Sequence, residues 1–245
     1  MRVPRIFQNR LLNIHDQILL NSELSHRLCN VLRLVKGNAV VLFNGSGYEY
    51  IGTIIEAKKK GVTIKILESI PKNHESPLKV HLGQVISKGE KMDFVIQKST
   101  ELGVTSIQPL FSERCVMHLQ NDRLEKKLAH WQKIATHAAE QSGRTSTPIV
   151  KKPMTLAEWL YDVQEIQGSC RLLLDPTSSN RLHHITIPDD SIALLIGPEG
   201  GLTTTEMAHA YQSNFTGLSL GKRILRTETA ALAALAVLQY KAGDL

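Results

Sequence analysis

An α/β protein built on a parallel sheet and preceded by a small β-barrel-like module is predicted by three observations. Short β-type runs with turn signals occupy the first third of the chain, and strand and helix signals then alternate to the end. Between them lies Ile70-Pro71-Lys72-Asn73-His74-Glu75-Ser76-Pro77, a polar stretch bracketed by prolines that reads as a linker. The boundary is set at residue 72, giving a module at 1–72 and a larger domain at 73–245.

In the module, residues 22–34 read as the single helix, with Leu24, Leu28, Val31 and Leu32 forming an apolar stripe at helical spacing. Strands are expected at 39–43, 48–55 and 62–67, joined by the turn Asn44-Gly45-Ser46-Gly47 and by Lys58-Lys59-Lys60 ahead of Gly61. After the linker, residues 78–86 are strand-like, 89–102 helical and closed by Gly103, 104–111 strand-like, and 121–141 a longer helix ended by Gly143. Thr155 and Glu158 have capping-box spacing and open a short helix, residues 171–174 and 191–196 are strands, and Thr203 with Glu206 forms a second capping box. A last strand at 215–220 leads to a helix at 229–240. That helix carries Ala and Leu on nearly every face, so it is expected to be buried or to form a subunit interface.

Composition narrows the functional classes. Hydrophobic residues make up 42% of the 245, enough for packed cores, yet no apolar run reaches the length that spans a bilayer and the N-terminus lacks the h-region of a signal peptide. A soluble, cytoplasmic protein is expected. Cys29, Cys115 and Cys170 lie far apart, without a C-x-x-C pair, and read as buried small apolar residues. No H-E-x-x-H occurs, and the neighbours His183 and His184 should point in different directions, so no metal site is expected. The net charge of +6 is unevenly placed: residues 1–76 carry 11 Lys+Arg against 6 Asp+Glu, the rest 18 against 17. A basic module beside a near-neutral remainder points to a polyanion-binding part joined to a part with another task. Lys58-Lys59-Lys60 alone reads as a solvated hairpin tip, which leaves Arg2, Arg5, Arg10, Arg27 and Arg33 to account for the excess.

Candidate chemistry concentrates near the C-terminus. Ile196-Gly197-Pro198-Glu199-Gly200-Gly201 and Leu220-Gly221-Lys222-Arg223-Ile224-Leu225-Arg226-Thr227-Glu228-Thr229-Ala230 each follow an apolar strand, where open α/β sheets hold ligands. A Rossmann site would need G-x-G-x-x-G and an acidic residue ending the next strand, and neither is present. The run from Gly217 to Arg223 is one residue short of a P-loop and has Arg where the magnesium-binding hydroxyl belongs. A cofactor gripped mainly by backbone groups remains, with Leu174, Ile196, Leu220, Ile224 and Leu225 as apolar walls. Alternatively, Gly200-Gly201 simply makes the turn before the Thr203 cap.

The two loops together resemble the cofactor-binding motifs of the RsmE family, the 16S rRNA (uracil-N3)-methyltransferases of the SPOUT superfamily. The resemblance extends to residues 1–7, 26–33, 88–103, 112–115 and 140–144, in order along essentially the whole chain, with Lys222 where proline is common. It implies a PUA-like RNA-binding domain followed by an α/β SPOUT domain with a deep trefoil knot. It also implies S-adenosylmethionine (S-adenosyl-L-methionine) as methyl donor, 16S rRNA or the assembled small ribosomal subunit as substrate, and a homodimer. On that reading Leu174, Ile196, Gly197, Pro198, Glu199, Gly200, Gly201, Leu220, Gly221, Ile224, Leu225 and Thr227 hold the cofactor.

Methylation at uracil N3 requires loss of a weakly acidic proton from an unpaired or flipped base. Arg226 is the candidate for stabilising the resulting negative charge, or it pairs with Glu228 or Glu199 as a structural salt bridge. Glu199 is the candidate for orienting the cofactor amine or assisting proton removal, or it stabilises its own loop. Arg2, Arg5, Arg33, Lys88, Lys91 and Arg144 are the expected RNA contacts, each with the alternative of a solvated surface charge. A ribosome-assembly or RNA-binding protein that keeps the fold without the chemistry is the competing reading. Intact glycine loops favour the enzyme, since a pure binder needs neither.

Overall fold

A computed structural model describes residues 3–58, 61–115, 121–164, 170–187 and 191–245, so Arg2 and the Lys59-Lys60 tip lie outside the described residues. The chain divides into two compact units, one of Met1–Glu75 with Ala139–Thr147 and one of Ser76–Ala138 with Pro148–Leu245. The described helices include none long and apolar enough to cross a membrane.

The first unit contains a five-stranded sheet of β1 (Arg5–Phe7), β2 (Gln17–Leu19), β3 (Ala39–Phe43), β4 (Tyr48–Lys58) and β5 (Gly61–Pro71) in the spatial order β1-β3-β4-β5-β2. β1 runs parallel to β3 and the other pairings are antiparallel. Alternation along β5 sends Val62, Ile64 and Ile66 into a core shared with Ile6, Ile18, Leu42 and Ile54. β1 and β2 are three residues each, too short to show a period of two, and pattern reading does not find them.

Helix α1 (Ser22–His26) starts where the Asn21 side chain accepts a hydrogen bond from the Leu24 amide at 2.9 Å, and it runs on into a π-helical turn, Arg27–Val31. That turn corrects the expected stripe. Leu28 is fully buried, but Val31 and Leu32 are exposed, because the wider turn rotates the residues after it away from the core.

Charged side chains hold Ala139–Thr147 within this unit. The Arg5 guanidinium donates to Glu49 Oε1 through Nε (3.0 Å) and Nη2 (2.7 Å), and to the backbone carbonyls of Ala139, Glu140 and Arg144. It also lies 4.6 Å over the centre of the Phe43 ring. Glu140 pairs with Arg27 at 2.8 Å and accepts from the Phe7 amide at 3.0 Å. Glu75 accepts from the Arg144 guanidinium and from the Thr145 and Ser146 amides. Burial alone would raise the Glu75 and Glu49 carboxyls. The hydrogen bonds and charge of Arg144 on one, and of Lys72 and Arg5 on the other, hold both below the usual range.

The second unit carries a parallel seven-stranded sheet. Its strands are β6 (Lys79–Val85), β7 (Ser106–Phe111), β8 (Ile149–Val150), β9 (Met154–Thr155), β10 (Cys170–Leu174), β11 (Ser191–Ile196) and β12 (Thr216–Leu218). The order is β12-β10-β11-β6-β7-β8, with β9 also on β7, so β11 slots between β6 and β10 while β12 lies beyond β10. Helices α2 (Lys91–Glu101), α3 (Asn121–Ser142), α4 (Leu156–Gln164), α5 (Thr204–Gln212) and α6 (Thr227–Ala242) follow the strands, the end of α3 belonging to the first unit. Ile192 to Ile196 of β11 are all buried, the continuous apolar run expected of a parallel strand covered on both faces.

Both predicted capping boxes form. Thr155 and Glu158 exchange hydrogen bonds at the start of α4, and Thr203 and Glu206 do so at the start of α5. Gly83 in β6 is required by packing, since an added Cβ would sit 2.4 Å from the Trp159 ring. Helix α6 buries Ala231, Ala234, Leu235 and Leu238 and leaves Tyr240 exposed, so it has one covered face rather than burial all round. Cys115 is buried, whereas Cys29 and Cys170 are only half-buried. The rings of His183 and His184 do not diverge: a 3-10 turn, Leu182–His184, brings their centres within 4.0 Å.

Candidate active site

The parallel register brings three strand ends to one place. Leu173 pairs with Leu195 and Leu174 with Leu218, so the carboxyl ends of β10, β11 and β12 lie side by side. The loop after each strand contributes to a cavity of about 450 Å³.

After β10, Asp175 turns the chain. Its Oδ1 accepts from the Thr177 amide (2.8 Å) and hydroxyl (2.7 Å), and its Oδ2 accepts from Tyr211 Oη at 2.7 Å. Burial would raise this carboxyl, but the Tyr211 and Thr177 hydrogen bonds hold it below the usual range. Burial and the Asp175 charge push the Tyr211 phenol up to about 12. The pair is a carboxylate with a neutral phenol at neutral pH, locking the loop to α5.

After β11, the Gly201 amide donates to Pro198 O at 2.9 Å, closing a turn in which Gly201 has φ +70°, a conformation that favours glycine. Arg114 donates to Gly200 O at 2.8 Å and Lys91 to Glu199 Oε1 at 2.9 Å. Burial would raise the Glu199 carboxyl, but the Lys91 hydrogen bond and charge, with backbone donors, keep it low. After β12, Ser219 Oγ accepts from Arg181 at 2.5 Å, and within β12 Gly217 O accepts from Ser178 and Asn180, stitching the end of this strand to the loop after β10.

Among the predicted cofactor residues, Leu174, Ile196, Gly197, Pro198, Glu199, Gly201, Leu220, Gly221, Ile224 and Leu225 line the cavity; Gly200 and Thr227 do not. Thr227 is buried and donates to Gly197 O at 2.8 Å, joining one loop to the other. Arg226 is exposed at the N-cap of α6 and makes no ion pair among the described residues, while Glu199 pairs with Lys91 instead. The lining also includes Arg223 of the second loop, and Asp175, Pro176, Thr177, Leu202, Met207 and Ser219, which pattern reading missed. Asp175-Pro176 is a turn dipeptide directly after an apolar strand, so the rule that found the other two loops would have found this one.

The expected RNA contacts divide by burial. Arg144 is buried and Arg5 half-buried with a side chain 7% exposed, and both guanidinium groups are engaged by carboxylates inside the first unit. Arg33 is exposed at φ 55° after the π-helical turn. Lys88 is exposed, and Lys91 is occupied by Glu199.

Residues 74–239 match the RNA methyltransferase domain family and residues 20–67 the RNA methyltransferase PUA domain family. Ribosomal RNA small subunit methyltransferase E of Buchnera aphidicola from Schizaphis graminum is 39% identical, covering 100% of this chain and 98% of the relative. Its Bacillus subtilis counterpart is 32% identical over 88% of this chain and 87% of the relative. A Legionella pneumophila methyltransferase structure with bound cofactor SAM is 40% identical, at a TM-score of 0.95 over 100% of both chains. The Neisseria gonorrhoeae ribosomal RNA small subunit methyltransferase E structure bound to S-adenosyl methionine is 38% identical, at a TM-score of 0.92 over 100% of both chains. With its three loops gathered around one cavity and likeness of this extent along its length, the chain belongs to the ribosomal RNA small subunit methyltransferase E family.

Proposed function

We propose that the protein methylates uracil N3 in 16S rRNA of the small ribosomal subunit, with S-adenosylmethionine as donor. The observation that carries this reading is the cavity at the ends of β10, β11 and β12, in a chain alike over its whole length to structures that hold this cofactor. Its residues fit the group. The volume suits a ligand of that size, Leu174, Ile196, Leu218, Leu220 and Leu225 offer apolar faces to a flat base, and loop backbone supplies polar groups. When bound, the cofactor supplies an electrophilic methyl group.

The chain's own residues supply the rest. Glu199 is a carboxylate at neutral pH and serves to orient a cationic amine; its pairing with Lys91 lowers its basicity and argues against proton removal. Arg226, exposed beside the second loop, stabilises negative charge on the uracil ring as the N3 proton leaves. The module at 1–72, through Arg33 and the basic residues around it, brings RNA to the domain at 73–245, where Lys88 adds a phosphate contact. The interleaved strand order supports the trefoil knot that the resemblance implies. Exposed Ile224 and Tyr240 support a homodimer, which sedimentation would test. A cytoplasmic location follows from an rRNA substrate.

The test is calorimetry with S-adenosylmethionine, followed by mass mapping of small-subunit rRNA from a strain lacking the protein. Absence of both cofactor binding and a missing methyl group would sink the reading.

A further inference from the structure

We propose that Gln84 and Thr227 are positioning residues, a buried amide-hydroxyl relay that fixes the Gly197 carbonyl and so sets the shape of the S-adenosylmethionine cavity. Gln84 lies in β6 opposite Ile196, the residue before Gly197. Its Nε2 donates to Thr227 Oγ1 at 3.0 Å, and Thr227 Oγ1 donates onward to Gly197 O at 2.8 Å. Gln84 is 0% exposed and Thr227 6%.

The relay acts on a peptide that has no other handle. The Gly197–Pro198 bond lacks an N–H, so its carbonyl is the sole backbone group through which a hydrogen bond can set the peptide plane. Proline fixes φ on one side of that plane, while glycine leaves ψ on the other less restrained than any other residue would, so the carbonyl's direction depends on the bond it makes. Gly197 and Pro198 both line the cavity, so rotation there changes its wall.

Gln84 is also a poor choice for packing alone. Its second Nε2 proton goes to Val85 O at 3.0 Å, but its Oε1 is buried with no hydrogen-bond partner among the described residues. A buried acceptor left unpaired is costly, and methionine of similar length would fill the space without that cost. The amide is explained by the donor it provides to Thr227.

The inference rests on the cavity being the cofactor site, and the experiment separates the two. Full-length wild type, Thr227→Val, Thr227→Ser and Gln84→Met are titrated with S-adenosylmethionine by calorimetry, with thermal melts alongside. Thr227→Val and Gln84→Met are each expected to weaken binding roughly tenfold, and the double variant no more than either alone. Thr227→Ser keeps the hydroxyl and should stay within about twofold of wild type. Folded variants that melt lower but bind as wild type would reduce the relay to a structural bond and overturn the proposal, as would additive effects of the two changes. If Thr227→Val does not fold, Gln84→Met decides alone. A wild type that binds no cofactor overturns the cofactor reading itself, whatever the variants do.

Discussion

Arg5 of the first unit is turned inward, whereas Arg226 of the second stays at the surface beside the second glycine loop. Arg5 is engaged by one carboxylate and three carbonyls with a side chain 7% exposed, whereas Arg226 is exposed and makes no ion pair among the described residues. Sequence alone marks both as basic residues in motifs of one family. Burial separates them: a desolvated guanidinium must be fully paired and becomes part of the fold, while a solvated one is available to charge that develops during a reaction.

The largest effect expected from this contrast is on stability. Arg5→Ala strips Glu49 of its closest partner and removes the donors that Arg5 gives to the Ala139, Glu140 and Arg144 carbonyls, and should lower the unfolding free energy by about 3 kcal/mol in denaturant titration. A change under about 0.5 kcal/mol would place Arg5 with the surface charges. Arg226→Ala is the opposite case. It should leave the melting temperature unchanged and lower kcat by roughly a hundredfold in a methyl-transfer assay; an equal fall in stability and rate would erase the distinction between the two arginines.

Acid sharpens the comparison further. Glu75 and Glu49 have carboxyls held below their unfolded values, so the stability they contribute is complete above a pH of about 4.5 and is lost as pH falls through the folded values. Glu75→Gln should flatten the dependence of unfolding free energy on pH below that point, and an unaltered acid limb would count against the Arg144 pair.

Smaller effects belong to the exposed pairs. Glu199→Gln breaks an ion pair whose partners are each 36% exposed, so stability should change by less than about 1 kcal/mol while cofactor affinity falls a few-fold. A loss confined to stability would give Glu199 only a loop-holding role. Arg33→Ala should weaken RNA binding modestly and reduce its salt slope by about one unit, with no change in melting. An unchanged slope would remove Arg33 from the RNA surface.

Much of this was legible from local pattern. Strands β3 and β11 lie at the expected residues, and both capping boxes form at Thr155 and Thr203, because alternation, apolar runs and caps are satisfied by near neighbours. The glycine loops were visible for the same reason. Val31 and Leu32 were misplaced because a single π-helical turn rotates a face without altering composition.

What the sequence by itself determined is the alternation of strand and helix, the loop chemistry at the strand ends and the uneven charge. What only the tertiary structure decided is which polar groups meet. Arg5 reaches Glu49 across 44 residues and the Arg144 carbonyl across 139, and Tyr211 reaches Asp175 across 36. Gln84 reaches Thr227 across 143. Such partners are selected by the need to satisfy every buried donor and charge once the chain is packed, and that need has no period along the sequence.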